Sequence, residues 1–274
     1  MTTFPVSVGV YGGGRMGAGI AHAFAVAGST VTIVETRAAA ADARVRVEKT
    51  LAKAAEKGIE VVGGISVTTD PASLASASLV VEAVPELVDL KYRVLATIAR
   101  FAPAAIIGTN TSSLSIDDLA SALPNPSVLI GLHFFNPVPA SDLVEVVVGA
   151  RTAPGLAGQA REWVRCLGKR AITVRDSPGF ASSRLGVAIA LEAMRMLEEG
   201  VASAEDIDRA MTLGYRHPIG PLRTTDLVGL DVRLAIAEHL ERELGPRFAP
   251  PRLLRDKVRA GQLGRKSGQG FYQW

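Results

Sequence analysis

His133 is followed by Phe134-Phe135-Asn136-Pro137, and Glu145 lies further on in an otherwise apolar run. A histidine whose ring is oriented, and whose cation is stabilised, by a buried carboxylate is a general base poised near neutral pH. Residues 128–132 spell a short buried strand, so His133 is expected at a C-terminal strand end, where open α/β sheets bind ligands. Asn136 and Pro137 mark the loop that follows. Taken singly, each residue also has a structural explanation: a satisfied histidine beside an apolar strand, and a strand carboxylate facing water.

A second chemistry-bearing stretch opens the chain. Gly12-Gly13-Gly14-Arg15-Met16-Gly17 follows the alternating run Val6-Ser7-Val8-Gly9-Val10 and precedes a helix-period run through Met16, Ile20, Phe24 and Ala27. Strand, glycine turn and helix in that order form a dinucleotide fingerprint. Gly12 permits the tight turn, Gly14 lets backbone N–H groups approach a pyrophosphate, and Gly17 lets the helix lie close on the strand. The helix N-terminus then favours the phosphates. Another strand, Val31-Thr32-Ile33-Val34, ends at Glu35. A carboxylate about 20 residues past such glycines accepts ribose hydroxyls and repels a 2′-phosphate, which favours NAD over NADP. Arg37 is a solvated strand-end cation or, turned inward, a phosphate partner. Base and nicotinamide together point to alcohol oxidation, in which the base takes the hydroxyl proton as a hydride leaves the same carbon.

The elements that must position these groups alternate. A polar helix is expected over residues 42–57 with Val45, Leu51 and Ala55 inward, then strands at 65–69 and 79–84. Leu87, Leu90, Val94, Ile98 and Phe101 form a helical stripe, and Ile106-Ile107-Gly108 another strand. The alternation runs to about Arg175 and predicts a doubly wound, Rossmann-type α/β fold: a parallel sheet with helices on both faces. After Asp176-Ser177-Pro178-Gly179-Phe180 only helical segments follow, punctuated by Gly200, Gly214 and Gly245. Ser203 is placed to cap a helix whose first turn carries Glu205 and Asp206. The expected division is a cofactor domain over 1–177 and a smaller all-helical domain over 178–274.

Composition narrows the alternatives. A chain of 274 residues is long for a single core. The net charge is +3, but Lys and Arg are scattered among acids and aromatics are few, so no nucleic-acid surface is expected. Cys166 is the single cysteine, which excludes an internal disulfide; beside Trp163 and Leu167 it is expected to be a small buried thiol. His22, His133, His217 and His239 show no ligand spacing, so no metal site is expected. Without an apolar span of about 18 residues or a leader pattern, no membrane partner is expected and the protein is assigned to the cytoplasm.

Several motifs occur in one order: the glycine fingerprint, Val81-Glu82-Ala83-Val84-Pro85-Glu86, Asn110-Thr111-Ser112-Ser113-Leu114, His133-Phe134-Phe135-Asn136-Pro137, Asp176-Ser177-Pro178-Gly179-Phe180, and residues 264–272 reading GRKSGQGFY. On these the chain resembles the L-3-hydroxyacyl-CoA dehydrogenases over nearly its whole length, particularly the short bacterial 3-hydroxybutyryl-CoA type. The resemblance implies that His133 is the base, that Glu145 orients it, and that Ser112 hydrogen-bonds the reacting oxygen. By local sequence alone, Ser112 is a turn residue. The resemblance further assigns Glu86, Lys91, Asn136 and Lys266 to the nicotinamide half of an NAD pocket, and Thr50 and Lys57 to the CoA moiety of an acyl-CoA thioester. Locally, Lys57 suits a helix C-terminus without any ligand. An active site between the two domains and a homodimer through the helical domain are also implied.

One position departs from the family. Ser183 stands where an asparagine is usual beside the substrate, and it keeps a donor and an acceptor but loses reach and the second amide donor. Two other functions stay open. A dehydrogenase of free hydroxy acids, gulonate- or carnitine-like, would need a basic anchor such as Arg184 or Arg223. A non-catalytic NAD-binding protein would be motivated by Ser183 alone.

Overall fold

In the computed structural model, which describes residues 4–274, the chain forms two units, 1–177 and 178–274. The first contains β1 (Ser7–Tyr11), α1 (Arg15–Val26), β2 (Thr30–Val34), α2 (Ala40–Glu56), β3 (Ile65–Thr68), β4 (Leu79–Glu82), α3 (Val88–Phe101), β5 (Ile106–Thr109), α4 (Ile116–Ala120), β6 (Leu129–Phe134), β7 (Leu143–Val148), α5 (Leu156–Cys166) and β8 (Arg170–Arg175). Among the described residues the eight strands form one sheet in the order β3-β2-β1-β4-β5-β6-β7-β8. Val8 and Val10 of β1, Val31 and Ile33 of β2 and Leu79 and Val81 of β4 are buried against Ile20 and Phe24 of α1. Such β-branched runs bury both faces of a strand and need helical cover.

The sheet is parallel from β3 to β6, but β7 runs antiparallel to β6 and β8 parallel to β7, which corrects the expectation of a parallel sheet. The loop 135–142 carries a single 3-10 turn. A parallel return needs a crossover of a dozen or more residues, so this short loop can only fold the chain back. The reversal sets His133 directly opposite Glu145 in the β6–β7 register. His133 is itself the penultimate residue of β6 rather than following the strand.

Three helix faces also differ from the periodicity assigned to them. On α2 the buried residues are Ala40, Ala43, Val47 and Ala54, with Leu51 half-buried; Val45 and Ala55 face solvent. The steps of three and four residues from 40 to 54 define the inward stripe, and Val45 falls about 200° round from Ala43. On α5 the stripe is Leu156, Ala160, Trp163 and Val164, which leaves Cys166 exposed and corrects the buried thiol. Leu87, expected in the α3 stripe, is exposed ahead of that helix, whereas Lys91 and Leu95 join Val94 and Ile98 inside.

The second unit consists of α6 (Ser182–Glu198), α7 (Ala204–Arg209), α8 (Pro221–Val228), α9 (Leu230–Leu244) and α10 (Arg252–Arg259). Its core is built from Val187, Leu191, Met194, Leu222, Leu240 and Leu254. Ser203 caps α7 as its position predicts, accepting from the Asp206 amide at 3.1 Å. Two buried acids organise the rest. Asp208 accepts from the Leu222 and Arg223 amides at the start of α8, at 2.8 and 2.9 Å, and from the Tyr272 hydroxyl at 2.8 Å. Asp226 accepts from the Phe271 and Tyr272 amides and the Trp274 indole, fixing the C-terminal segment. Burial, then the bond to Asp208, pushes the Tyr272 phenol up.

Candidate active site

The carboxyl ends of β1, β4, β5 and β6 lie on one edge of the sheet, and each delivers one part of the site. At β1 the turn begins with Gly12 at φ +103°, where a Cβ would lie 2.8 Å from the Ala83 carbonyl oxygen. A Cβ on Gly17 would stand 1.8 Å from the Gly12 oxygen, so only glycine lets α1 approach the strand this closely. Gly14 has open space where its side chain would be, and α1 starts there with no side-chain cap. Its first amides are therefore available to an anion, which is the cradle a pyrophosphate requires.

Gly13 and Glu35 meet in this turn: Glu35 Oε2 accepts from the Gly13 amide at 2.6 Å, and Oε1 from the Thr36 amide at 2.7 Å. The carboxylate therefore stands against the glycine turn at the end of β2, where ribose hydroxyls would reach it. Arg15 and Arg37 are exposed, and Met16 is half-buried against the core.

β4 ends in a carboxylate that sequence reasoning gave no role. Glu82 is fully buried and accepts from Lys91 Nζ at 2.7 and 2.9 Å, from Thr109 Oγ1 at 2.6 Å and from the Val84 amide at 2.8 Å. An acid closing the apolar run Leu79-Val80-Val81 was the available signal. Lys91 in turn lies 3.3 Å from Glu86 Oε2. Glu86 Oε1 collects the turn after β5, accepting from Thr111 Oγ1 at 2.6 Å, the Ser112 amide at 2.8 Å, the Ser113 amide at 3.1 Å and Ser112 Oγ at 3.2 Å. Burial pushes the Glu86 carboxyl up, but Lys91, Thr111 and the Ser112 amide outweigh it and hold the group below the usual glutamate range. Ser112 is thus a turn residue whose position is set by a remote carboxylate, and not by its own backbone alone.

At β6, His133 Nδ1 lies 2.7 Å from Glu145 Oε2; the histidine is 6% exposed and the glutamate 0%. Glu145 is therefore not a solvent-facing strand acid. A carboxylate acceptor at Nδ1 calls for the proton there, which puts the lone pair of the neutral ring on Nε2. The Phe135 ring packs on the imidazole with centroids 4.6 Å apart. Asn110 Oδ1 accepts from the Phe134 amide at 2.9 Å and ties the Ser112 turn to the histidine strand. Beyond it, Asn136 is exposed on a loop that Lys169 pins by donating to the Val138 and Ser141 carbonyls, both at 2.6 Å.

The remaining expected site residues are carried by α2 and by the helical unit. Thr50 sits on α2 and donates to the Arg46 carbonyl at 2.8 Å, and Lys57 is exposed just past that helix. In the helical unit, Ser183 is half-buried in the first turn of α6 and Lys266 pairs with both Asp231 oxygens at 2.6 Å. Arg223 stacks over the Tyr272 and Trp274 rings at 5.1 and 5.0 Å. No group of histidine, cysteine and acidic residues suited to a metal occurs among the described residues, and no described helix is long and apolar enough to cross a membrane.

A glycine cradle and a carboxylate-backed histidine on one edge of a doubly wound sheet define an α/β nucleotide-dependent dehydrogenase. Residues 7–177 match the 3-hydroxyacyl-CoA dehydrogenase NAD binding domain, and residues 179–274 match the C-terminal domain of the same enzymes. The chain belongs to the 3-hydroxyacyl-CoA dehydrogenase family. It is 42% identical to a 3-hydroxybutyryl-CoA dehydrogenase of Mycobacterium tuberculosis, over 97% of this chain and 98% of that protein. Identity to the mitochondrial hydroxyacyl-coenzyme A dehydrogenase of Sus scrofa is 39%, over 97% and 90%. The crystal structure of (S)-3-hydroxybutyryl-CoA dehydrogenase from Ralstonia eutropha superposes with a TM-score of 0.92 at 39% identity, covering 98% of this chain and 99% of that one.

Proposed function

We propose that the protein interconverts L-3-hydroxyacyl-CoA and 3-oxoacyl-CoA, with short chains such as 3-hydroxybutyryl preferred, NAD as cofactor and His133 as general acid and base. The observation that carries this reading is the 2.7 Å His133–Glu145 pair on the sheet edge that also holds the glycine cradle. NAD bound in that cradle supplies the hydride acceptor, or in NADH the donor. In oxidation, His133 Nε2 takes the proton from the C3 hydroxyl; in reduction it returns it. Glu145 stabilises the imidazolium between these events, which lowers the cost of charge developing in a buried site. Ser112 holds the reacting oxygen, and Glu86 and Lys91 keep its turn in place.

Glu35 favours NAD over NADP through repulsion of a 2′-phosphate. Glu86, Lys91, Asn136 and Lys266 complete the nicotinamide side, Thr50 and Lys57 meet the CoA moiety, and Ser183 contacts the acyl thioester. Leu185 and Ile189 of α6 and Val232 of α9 are exposed apolar side chains, which supports a homodimer through the helical unit.

The deciding assay follows NADH absorbance with acetoacetyl-CoA, in parallel with free acetoacetate, and NAD reduction with gulonate. Turnover of the thioester alone is expected. A faster free acid would replace this reading, as would NADH binding without turnover of any substrate.

A further inference from the structure

The backbone pairing of β5 with β6 stops short of His133. Its last pair is Thr109 with Gly131, whereas the β6–β7 register runs on through His133 and Glu145 to Phe134 and Val144. Beyond Gly131 the end of β6 is therefore carried by β7. Its distance from the turn after β5, which holds Ser112, is left to side chains.

Asn110 spans that gap. Half-buried and next in the chain after β5, it gives its backbone amide to the Glu82 carbonyl at 2.8 Å and accepts from the Phe134 amide through Oδ1 at 2.9 Å. The Phe134 nitrogen belongs to the peptide that leaves His133, and the following ring, Phe135, packs on the imidazole with centroids 4.6 Å apart. In the strand order β5-β6-β7, Glu145 thus holds His133 from one side through Nδ1, and Asn110 holds it from the other through its peptide. The mount is stiff. Thr109, just before Asn110, donates to Glu82 Oε2 at 2.6 Å, and Glu82 also accepts from Lys91 Nζ at 2.7 Å. Two residues past Asn110, the Ser112 amide and hydroxyl are fixed on Glu86 Oε1. Phe134 is 2% exposed, and a buried amide deprived of its acceptor must move or find another.

We propose that Asn110 is a positioning residue for the oxidoreduction: by tying the end of β6 to the turn after β5, its Oδ1 sets the separation of His133 from Ser112. This rests on the proposed reading in which both side chains meet the C3 oxygen. An oxygen held by two groups at once must lie within hydrogen-bond reach of each, so their spacing acts on the chemical step. The glycine turn at the end of β1 does not depend on it, so NADH binding is left intact.

The test measures kcat for NADH-dependent reduction of acetoacetyl-CoA, NADH affinity by fluorescence titration and the urea midpoint. Wild type is compared with Asn110→Leu, Asn110→Ala and Asn110→Asp, with His133→Gln alongside. Asn110→Leu keeps the bulk of the side chain without the acceptor. It is expected to lower kcat by about 10- to 100-fold, the upper figure being the cost of a misplacement of about 1 Å, with NADH affinity within about twofold of wild type. Asn110→Asp keeps an oxygen acceptor at the same reach and is expected to recover most of the loss. Should Asn110→Leu fail to fold, Asn110→Ala decides the matter: a water can satisfy the Phe134 amide there without fixing the spacing, so kcat is again expected to fall. A lowered urea midpoint with kcat of the folded variant unchanged overturns the proposal in favour of a role in folding alone. A loss in Asn110→Asp equal to that in Asn110→Leu overturns it too, as does a fall in NADH affinity that matches the fall in kcat. Wild type inert toward the thioester, or His133→Gln as fast as wild type, overturns the underlying reading and the proposal with it. Full kcat in Asn110→Leu beside an inactive His133→Gln overturns the positioning role alone.

Discussion

Lys91 Nζ lies 2.7 Å from Glu82 Oε1, and the two side chains are 1% and 0% exposed. Each charge is compensated chiefly by the other, since Glu82 closes a buried strand and Lys91 lies on the inward face of α3. Removing one partner strands the other in low dielectric, which costs about 3–5 kcal/mol. Lys91→Met is expected to lower unfolding stability in urea by that amount, with Glu82→Gln less severe because its amide still accepts from Thr109. Stability of Lys91→Met within about 1 kcal/mol of wild type, the level of a surface pair, would show that water reaches Glu82.

Glu86 has a different pH signature. Its carboxyl is held below the ordinary value of 4.5, so its contribution to stability is present above that value and fades as pH falls through the lower folded value. Urea midpoints measured from pH 6 downward should fall for wild type, and Glu86→Gln should show a shallower fall below pH 4.5. Because Glu86 holds the Ser112 amide, the same substitution is expected to reduce kcat more than it raises KM for NADH. Parallel acid curves for the two proteins would assign the sensitivity to other carboxylates.

How far these relationships were legible in the sequence depends on their range. The glycine turn, Glu35 and the helix start are encoded within a few residues by backbone conformation, and they fold as their pattern predicts. His133 and Glu145 were recognisable as a pair, but their direct opposition depends on β7 reversing, which only the brevity of loop 135–142 announces. Helix faces were less legible. On α2 the inward positions are mostly alanines, so Val45 carried the stronger apolar signal while facing solvent. Glu82 was hidden because an acid at a strand end is ordinary at a surface; its partner reaches it from α3 after an intervening loop.

Cofactor choice tests the Gly13–Glu35 contact. Oε2 of Glu35 is held at 2.6 Å by the Gly13 amide, which fixes the carboxylate against the glycine turn. NADH is expected to exceed NADPH in kcat/KM at fixed acetoacetyl-CoA. Glu35→Ser, which removes the repulsion of a 2′-phosphate and leaves Arg37 nearby, is expected to narrow the ratio. A wild-type preference for NADPH would mean that Arg37, not Glu35, dominates the pocket.

The His133–Glu145 pair allows a separation of chemistry from binding. General acid–base catalysis typically contributes ~10²–10⁴-fold, so His133→Gln should lose most of kcat while NADH affinity, read by fluorescence titration, stays close to wild type. A residual rate within about a factor of two would remove His133 from the reaction, since no general base is worth so little. Glu145→Gln keeps the shape of the contact but not its charge. The imidazolium then loses its anionic partner, and the alkaline fall of the reduction rate, where the proton donor is lost, is expected to move to lower pH. If kcat drops in Glu145→Gln with the pH profile unmoved, the glutamate acts by orienting the ring alone. A moved profile with an intact maximum would instead assign its effect to charge.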